Sequence, residues 1–267
     1  MEITSVNNEK IKNIKKLYNK KERIKQNKYI IEGIKIVEEA YLAKEVIELI
    51  IICESIYNNV GINKNVTDKL VKELSDKVMY VSENVFNSLS ETVTPQGIMA
   101  VVEINKKSNE FSEDILFLDR VQDLGNIGTI LRTARAFGFN TVILNKGCGD
   151  IYNSKVIRSA MGNIFKLNIL VLEDLGIELL NELKEKGYSI YVTTLDNSKS
   201  IYEIEFNKKK VIIMGNEANG VCDEIIELAN FNITIPMQDN TESLNVGIAT
   251  GIVLSEIRRK QIWKKVI

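Results

Sequence analysis

From residue 115 onward, six short apolar runs recur along the chain: ILFLD (115–119), TVILN (141–145), KLNILVL (166–172), SIYVTTL (189–195), VIIMG (211–215) and FNITIPM (231–237). The stretches between them carry apolar residues at helical spacing. Strands that alternate with helices assemble into a largely parallel sheet covered on both faces. This pattern decides the architecture of the carboxyl-terminal part of the chain. It also decides where a ligand belongs, because open α/β sheets bind beyond the carboxyl ends of their strands. The segments of interest are therefore those after Asp119, Asn145, Leu195, Gly215 and Met237. No internal repeat is visible.

The first hundred residues form a smaller α/β unit. NNEKIKNIKKLYNKKERIKQN (7–27) places Ile11, Ile14, Leu17 and Tyr18 at helical spacing and reads as one charged helix. There follow the strand KYIIEG, a helix to about Lys44, the strand VIELIIIC, a helix near TDKLVKELSD, the strand VMYVS, a short helix and the strand GIMAVVEI. NKKSNEFSE (105–113) is the most linker-like stretch. It divides the 267 residues into domains at 1–107 and 113–267, with the boundary near Ser108, a division that suits the length.

Composition narrows the chemistry. The histidine count is 0, which removes Ser-His-Asp triads, Cys-His pairs and His-based metal sites. Proton transfer must fall to a carboxylate, Lys, Tyr, Arg or water. Cys53, Cys148 and Cys222 form no CxxC pair and cannot all pair, which fits a reducing cytoplasm. No signal peptide is legible, and no apolar run approaches the ~18 residues of a membrane span. Net charge is −1, so overall charge gives no hint of nucleic acid. Its distribution does. Residues 1–28 carry Lys10, Lys12, Lys15, Lys16, Lys20, Lys21, Arg23, Lys25 and Lys28 against Glu2, Glu9 and Glu22. A basic arm on a neutral protein attracts phosphate locally; a solvated helix in a lysine-rich chain accounts for it equally well.

Three of the strand-end segments are unusual. LDRVQDLGNIGTILRTARAFGF (118–139) runs from a strand through a glycine-bearing loop with Asn126 and Gly128 into a helix carrying Arg132 and Arg135. A helix start fed by glycines receives anions, but no Gly-Lys-Ser/Thr follows, so it is not a P-loop. GNEANG (215–220) sets Glu217 and two amides between glycines that permit close backbone approach; taken alone, a plain turn into VCDEIIELA is the simpler reading. MQDNTESLNVGIATGIVLSEI (237–257) offers Ser243 or Thr241 as a helix cap, with Asn245 as a cap or turn residue. Its small residues Gly247, Ala249, Thr250 and Gly251 let a second backbone pack closely, within the domain or across a two-fold axis.

Other segments say less. NKGCGD (145–150) lacks the third glycine of a dinucleotide fingerprint. Arg158 and Ser159 either contact phosphate or face solvent on an ordinary helix. Tyr18 and Trp263 give no aromatic interleaving of the kind single-stranded RNA readers use. Cys222, at a helix start, is placed for a lowered pKa, without a base or resolving cysteine.

In order, NIGTILRTARAFGF, VIIMGNEANGV and IPMQDNTESLNVGIATGIVL resemble the three motifs of the SpoU (TrmH) family, over roughly 115–260. These are RNA ribose 2'-O-methyltransferases of the knotted SPOUT class. ITSVNNEKIKNIKKL, YIIEGIKIVEEA and VTPQGIMAVVE are more loosely similar to the ribosomal-protein-like substrate-binding domain often fused ahead of it. The resemblance implies an α/β fold with a trefoil knot near the carboxyl end, a topology nearly absent elsewhere. It implies S-adenosylmethionine (SAM) as methyl donor, no metal, a cytoplasmic homodimer with shared active sites, and RNA as partner, rRNA favoured over tRNA.

By motif position it implies SAM held by Thr194, Leu195, Gly215, Asn216, Gly220, Ile235, Met237 and Leu244, with Asn126, Arg132, Glu217, Ser243 and Asn245 as catalytic residues. Asn126 and Arg132 would handle the RNA ribose and phosphate while the other two motifs hold SAM. Base action by a guanidinium, which stays protonated, is left open. The RNA-contact candidates are Lys10, Lys12, Lys15, Lys16, Lys20, Lys21, Arg23 and Arg158. Asp239 stands where family members commonly carry glycine. Two rival readings remain, a SPOUT-class base methyltransferase and a non-catalytic RNA-binding protein on the same fold.

Overall fold

A computed structural model describes residues 2–61, 63–105, 110–238 and 243–263. The chain divides into two compact units, Met1–Lys106 with Tyr152–Phe165, and Lys107–Ile151 with Lys166–Ile267. The boundary expected near Ser108 lies outside the described residues. Tyr152–Phe165, which the sequence division assigns to the second domain, clusters with the first unit.

In the first unit the order is α1 (Glu9–Lys16), α2 (Lys20–Gln26), β1 (Lys28–Glu32), α3 (Ile34–Leu42), β2 (Ile47–Ile52), α4 (Glu54–Tyr57), α5 (Asn65–Glu73), β3 (Val78–Tyr80), α6 (Glu83–Leu89) and β4 (Ile98–Glu103). The sheet runs β1-β4-β2-β3, with β4 antiparallel to both neighbours and β2 parallel to β3. The single helix expected over 7–27 is in fact two. Asn8 and Asn19 each accept a hydrogen bond from the N–H two residues on, Lys10 and Lys21, both at 2.9 Å. An asparagine that bonds the backbone in this way starts a new helix rather than continuing an old one. Ile11, Ile14 and Leu17 are buried against Ile30, Phe86 and Leu89, so packing fixes α1 while its lysines stay outside.

The second unit carries β5 (Asp114–Leu118), α7 (Leu124–Ala136) and β6 (Thr141–Leu144); α8 (Ser154–Ala160) follows in the chain but belongs to the first unit. Then come β7 (Asn168–Val171), α9 (Ile177–Glu185), β8 (Ser189–Thr193), β9 (Lys199–Ser200), β10 (Lys210–Met214), α10 (Asp223–Ile226), β11 (Phe231–Thr234) and α11 (Val246–Trp263). The sheet order is β7-β6-β5-β10-β8-β11-β9, and each pairing is parallel. The six expected strands are present; β9, two residues long, is too short to show a pattern. β10 lies between β5 and β8 although it follows both in the chain. The winding therefore reverses at β10, and such a switch point opens a crevice at the strand ends. Phe117, on β5, is fully buried at 0% exposure. Phe117→Ala should cost about 3–5 kcal/mol, read as a lower urea midpoint at unchanged m-value.

Candidate active site

α7 begins earlier than the sequence pattern implies. Asp123 caps it by accepting from Asn126 N at 2.7 Å. Asn126 and Gly128 therefore lie in the helix, not in a loop ahead of it. Arg132 is exposed. At 3.6 residues per turn it sits roughly 120° around the helix axis from Asn126.

Asn126 is the middle of a relay. Its Nδ2 donates to Glu217 Oε1 at 3.0 Å, and its Oδ1 accepts from Asn245 Nδ2 at 2.9 Å. These side chains come from three separate motifs and meet only in the fold. Asn245 also caps α11: its Oδ1 accepts from Gly247 N at 3.0 Å and Ile248 N at 3.3 Å, and its carbonyl accepts from Ala249 N. The cap is thus Asn245, and Ser243 is left exposed. Thr241 and Asp239 lie outside the described residues. The small residues of α11 pack within the domain. A Cβ on Gly247 would sit 3.4 Å from Thr129 Cγ2 of α7, and one on Gly251 would sit 3.9 Å from Thr133 Cγ2.

GNEANG is more than a plain turn. Asn216 and Gly220 exchange both backbone hydrogen bonds at 3.0 Å. Asn216 Oδ1 accepts from Ala218 N and Asn219 N, while its Nδ2 donates to the Arg120 carbonyl at 2.8 Å. Gly220 has φ +66°. A Cβ on Gly215 would collide with the backbone of Gly220 and Val221. The loop closes on itself, and glycine at 215 makes that possible.

A cleft of about 680 Å³ opens at the carboxyl ends of β8, β10 and β11. Thr194, Leu195, Gly215, Asn216, Gly220, Ile235, Met237 and Leu244 all line it, together with Glu217 and Ser243. Asn126 and Asn245 are not in its lining; Asn126 bonds the lining residue Glu217, and Asn245 stands between the lining residues Leu244 and Val246. Arg132 is not in its lining. Leu195, Ile226, Ile233 and Leu244 give it apolar walls, and Asp196, Glu217 and Asp223 put carboxylates among them. The volume, the apolar walls and the carboxylates among them fit a cationic, adenosine-bearing molecule of SAM's size.

Sequence reasoning passed over the residues beneath the loop. Asp119 is fully buried at the end of β5. Its Oδ1 accepts from Asn145 Nδ2 at 2.7 Å and Arg120 Nε at 3.0 Å; its Oδ2 accepts from Cys222 N at 2.8 Å. The available signal was a charged or amide residue closing an apolar strand, as in ILFLD and TVILN. The Cys222 thiol departs from expectation: burial raises its pKa, and α10 is only four residues long. Burial likewise pushes Cys148 up to about 11.

Of the RNA-contact candidates, Lys10, Lys12, Lys15, Lys16, Lys20 and Lys21 are exposed. Arg23 is not. It is 5% exposed and donates from Nη1 to the Leu17 carbonyl at 2.7 Å, so it closes the break between α1 and α2. Arg158 is half-buried on α8. Among the described residues no helix is long and apolar enough to cross a membrane.

A glycine-closed loop and a carboxylate-bearing cleft at the switch point of a parallel sheet belong to a cofactor-using α/β enzyme. Its relatives make the class specific. Residues 113–255 match the SpoU rRNA Methylase family and residues 8–100 match the MRM3-like substrate binding domain. The chain belongs to the SpoU rRNA methylase family. It is 35% identical to 23S rRNA (guanosine(2553)-2'-O)-methyltransferase RlmP of Bacillus subtilis, across 96% of this chain and 99% of the relative. Its fold matches the AdoMet-bound rRNA methyltransferase of Sinorhizobium meliloti with a TM-score of 0.85 at 28% identity, covering 97% and 98% of the two chains. It also matches an RNA 2'-O ribose methyltransferase with a TM-score of 0.81 at 29% identity, covering 98% and 100%.

Proposed function

We propose that this protein transfers a methyl group from SAM to a ribose 2'-hydroxyl of ribosomal RNA. The observation that carries this reading is the Glu217–Asn126–Asn245 relay beside a cleft lined by the second and third motifs. When bound, SAM supplies an electrophilic methyl group. The chain has to position a weak ribose nucleophile and stabilise the charge it develops. Positioning of this kind contributes up to ~7–11 kcal/mol. Asn126, held on both sides, presents a fixed amide to the ribose. The Arg132 guanidinium, permanently charged, stabilises the developing alkoxide or its neighbouring phosphate. Ser243, exposed at the cleft, faces the cofactor side.

Arg132 lies off the cleft lining and around the helix from Asn126. We therefore read the working unit as a homodimer in which one protomer's Arg132 serves its partner's cleft. The family's trefoil knot is assigned to the carboxyl-terminal part of the second unit, the amino-terminal unit is read as the substrate-binding domain, and the compartment as the cytoplasm. The test of the activity is direct. Incubation with methyl-labelled SAM and rRNA should place label on nucleotides whose 3' linkage resists alkali; label on bases instead would favour base methylation.

The exposed lysines of α1 and α2 give a second test. If Lys10, Lys12, Lys15, Lys16, Lys20 and Lys21 meet phosphate, RNA affinity falls steeply with salt. Each neutralised contact should then shallow the log–log slope by roughly 0.7–0.9. An unchanged slope would mark the lysines as solvated only.

A further inference from the structure

We infer that Asp119, Arg120 and Asn145 form a positioning hub that holds the 215–222 loop in its SAM-binding shape. This rests on the reading of that loop as the SAM site. The hub lies under the loop, at the carboxyl ends of β5 and β6, and ties it down twice. Asn216 donates to the Arg120 carbonyl at 2.8 Å near the loop's start, and Cys222 N donates to Asp119 Oδ2 at 2.8 Å at its end. Both anchors converge on adjacent residues of one strand end.

Arg120 is bent to serve this geometry. Its φ of +54° is uncommon for a residue with a side chain. In that conformation its N–H meets Asn145 Oδ1 at 2.8 Å, its carbonyl meets Asn216, and its guanidinium returns to Asp119 through Nε at 3.0 Å and Nη2 at 3.1 Å. Sparsely populated backbone conformations persist where surrounding contacts over-determine them, and they gather at functional sites. The same arrangement accounts for the glycines of NKGCGD, which no dinucleotide reading explains. A Cβ on Gly147 would press to 3.1 Å from Arg120 Cγ, and one on Gly149 would reach 2.8 Å from the Gln122 carbonyl oxygen. Those glycines let the β6 loop close over the residues that follow β5.

Asp119 is the centre of the hub, and its chemistry is constrained. Its two oxygens accept from Asn145 Nδ2, Arg120 Nε and Nη2, and Cys222 N, all of them donors. Only a group that purely accepts can satisfy all four, and an ionised carboxylate is that group. An asparagine of the same shape must turn its own N–H toward at least one donor. Asp119 and Arg120 touch neither cofactor nor RNA in this scheme; they act through the loop.

The test measures SAM affinity by calorimetry and kinetics at saturating SAM in the full-length protein, with melting curves to establish folding. Asp119→Asn should weaken SAM binding by about tenfold or more, the scale of one buried unsatisfied donor. KM for SAM should rise with it while kcat stays close to wild type. Arg120→Gly suits the left-handed backbone and so keeps the fold; it takes from Asp119 the two guanidinium bonds that fix its carboxylate beneath the Cys222 N–H, so it should weaken SAM binding in the same sense, and it decides the matter if Asp119→Asn does not fold. Wild-type SAM affinity in folded Arg120→Gly and Asp119→Asn, alongside lost binding in Gly215→Val, would overturn the hub and leave the SAM loop standing. Wild-type affinity in Gly215→Val would instead remove the loop from the SAM site, and the hub with it.

Discussion

Arg132→Ala should lower methyl transfer to RNA by at least ~10²-fold, the usual scale for loss of one preorganised charge-stabilising donor. SAM affinity should stay close to wild type, because Arg132 is exposed and stands outside the cleft lining. Arg132→Lys should recover little. An ammonium is a point charge and cannot reproduce the planar two-pronged contact of a guanidinium with ribose and phosphate. Single-turnover transfer at saturating SAM separates the two quantities. A large loss of SAM affinity in the variant would move Arg132 from the substrate side of the reaction to the cofactor side.

The parts of this protein that sequence made legible are those where one physical requirement dominates. Strands of a parallel sheet are buried on both faces, so ILFL, TVIL and VIIM are continuous apolar runs that admit few other readings. The break between α1 and α2 was hidden because the helical spacing of Ile11, Ile14 and Leu17 runs up to Asn19 with no glycine or proline to end it; only the side-chain bond from Lys21 N shows that Asn19 caps. Arg23 looked like one more member of a basic face, and its turn inward to the Leu17 carbonyl depends on that same break. By residue type alone Ser243 reads as the helix cap, with Asn245 a cap or turn residue. Tertiary contact chose between them, since Asn245 is also bonded to Asn126 from a motif more than a hundred residues away. The relay itself could not be read locally, because its members approach only when β10 inserts beside β5. Asp119 was visible as an oddity, a carboxylate at the end of an apolar strand, but its purpose appears only with its donors in place.

The shared-site reading makes the sharpest prediction of all. Gly215→Val should reduce SAM binding below detection while the sheet still folds. The added side chain would strike the backbone of Gly220 and Val221 where the loop returns, so the loop must open while β10 behind it keeps its buried pairing. A subunit with that change has an intact Arg132; a subunit carrying Arg132→Ala has an intact cleft. Each homodimer alone should be inactive. If Arg132 crosses to the partner's cleft, a heterodimer unites the Arg132→Ala subunit's cleft with the Gly215→Val subunit's arginine, and one of its two sites should work. Co-expression with distinct tags isolates that heterodimer, and activity near half of wild type is expected. Transfer no higher than in the two parent homodimers would mean that each protomer uses its own Arg132, since then neither subunit of the heterodimer holds a complete set.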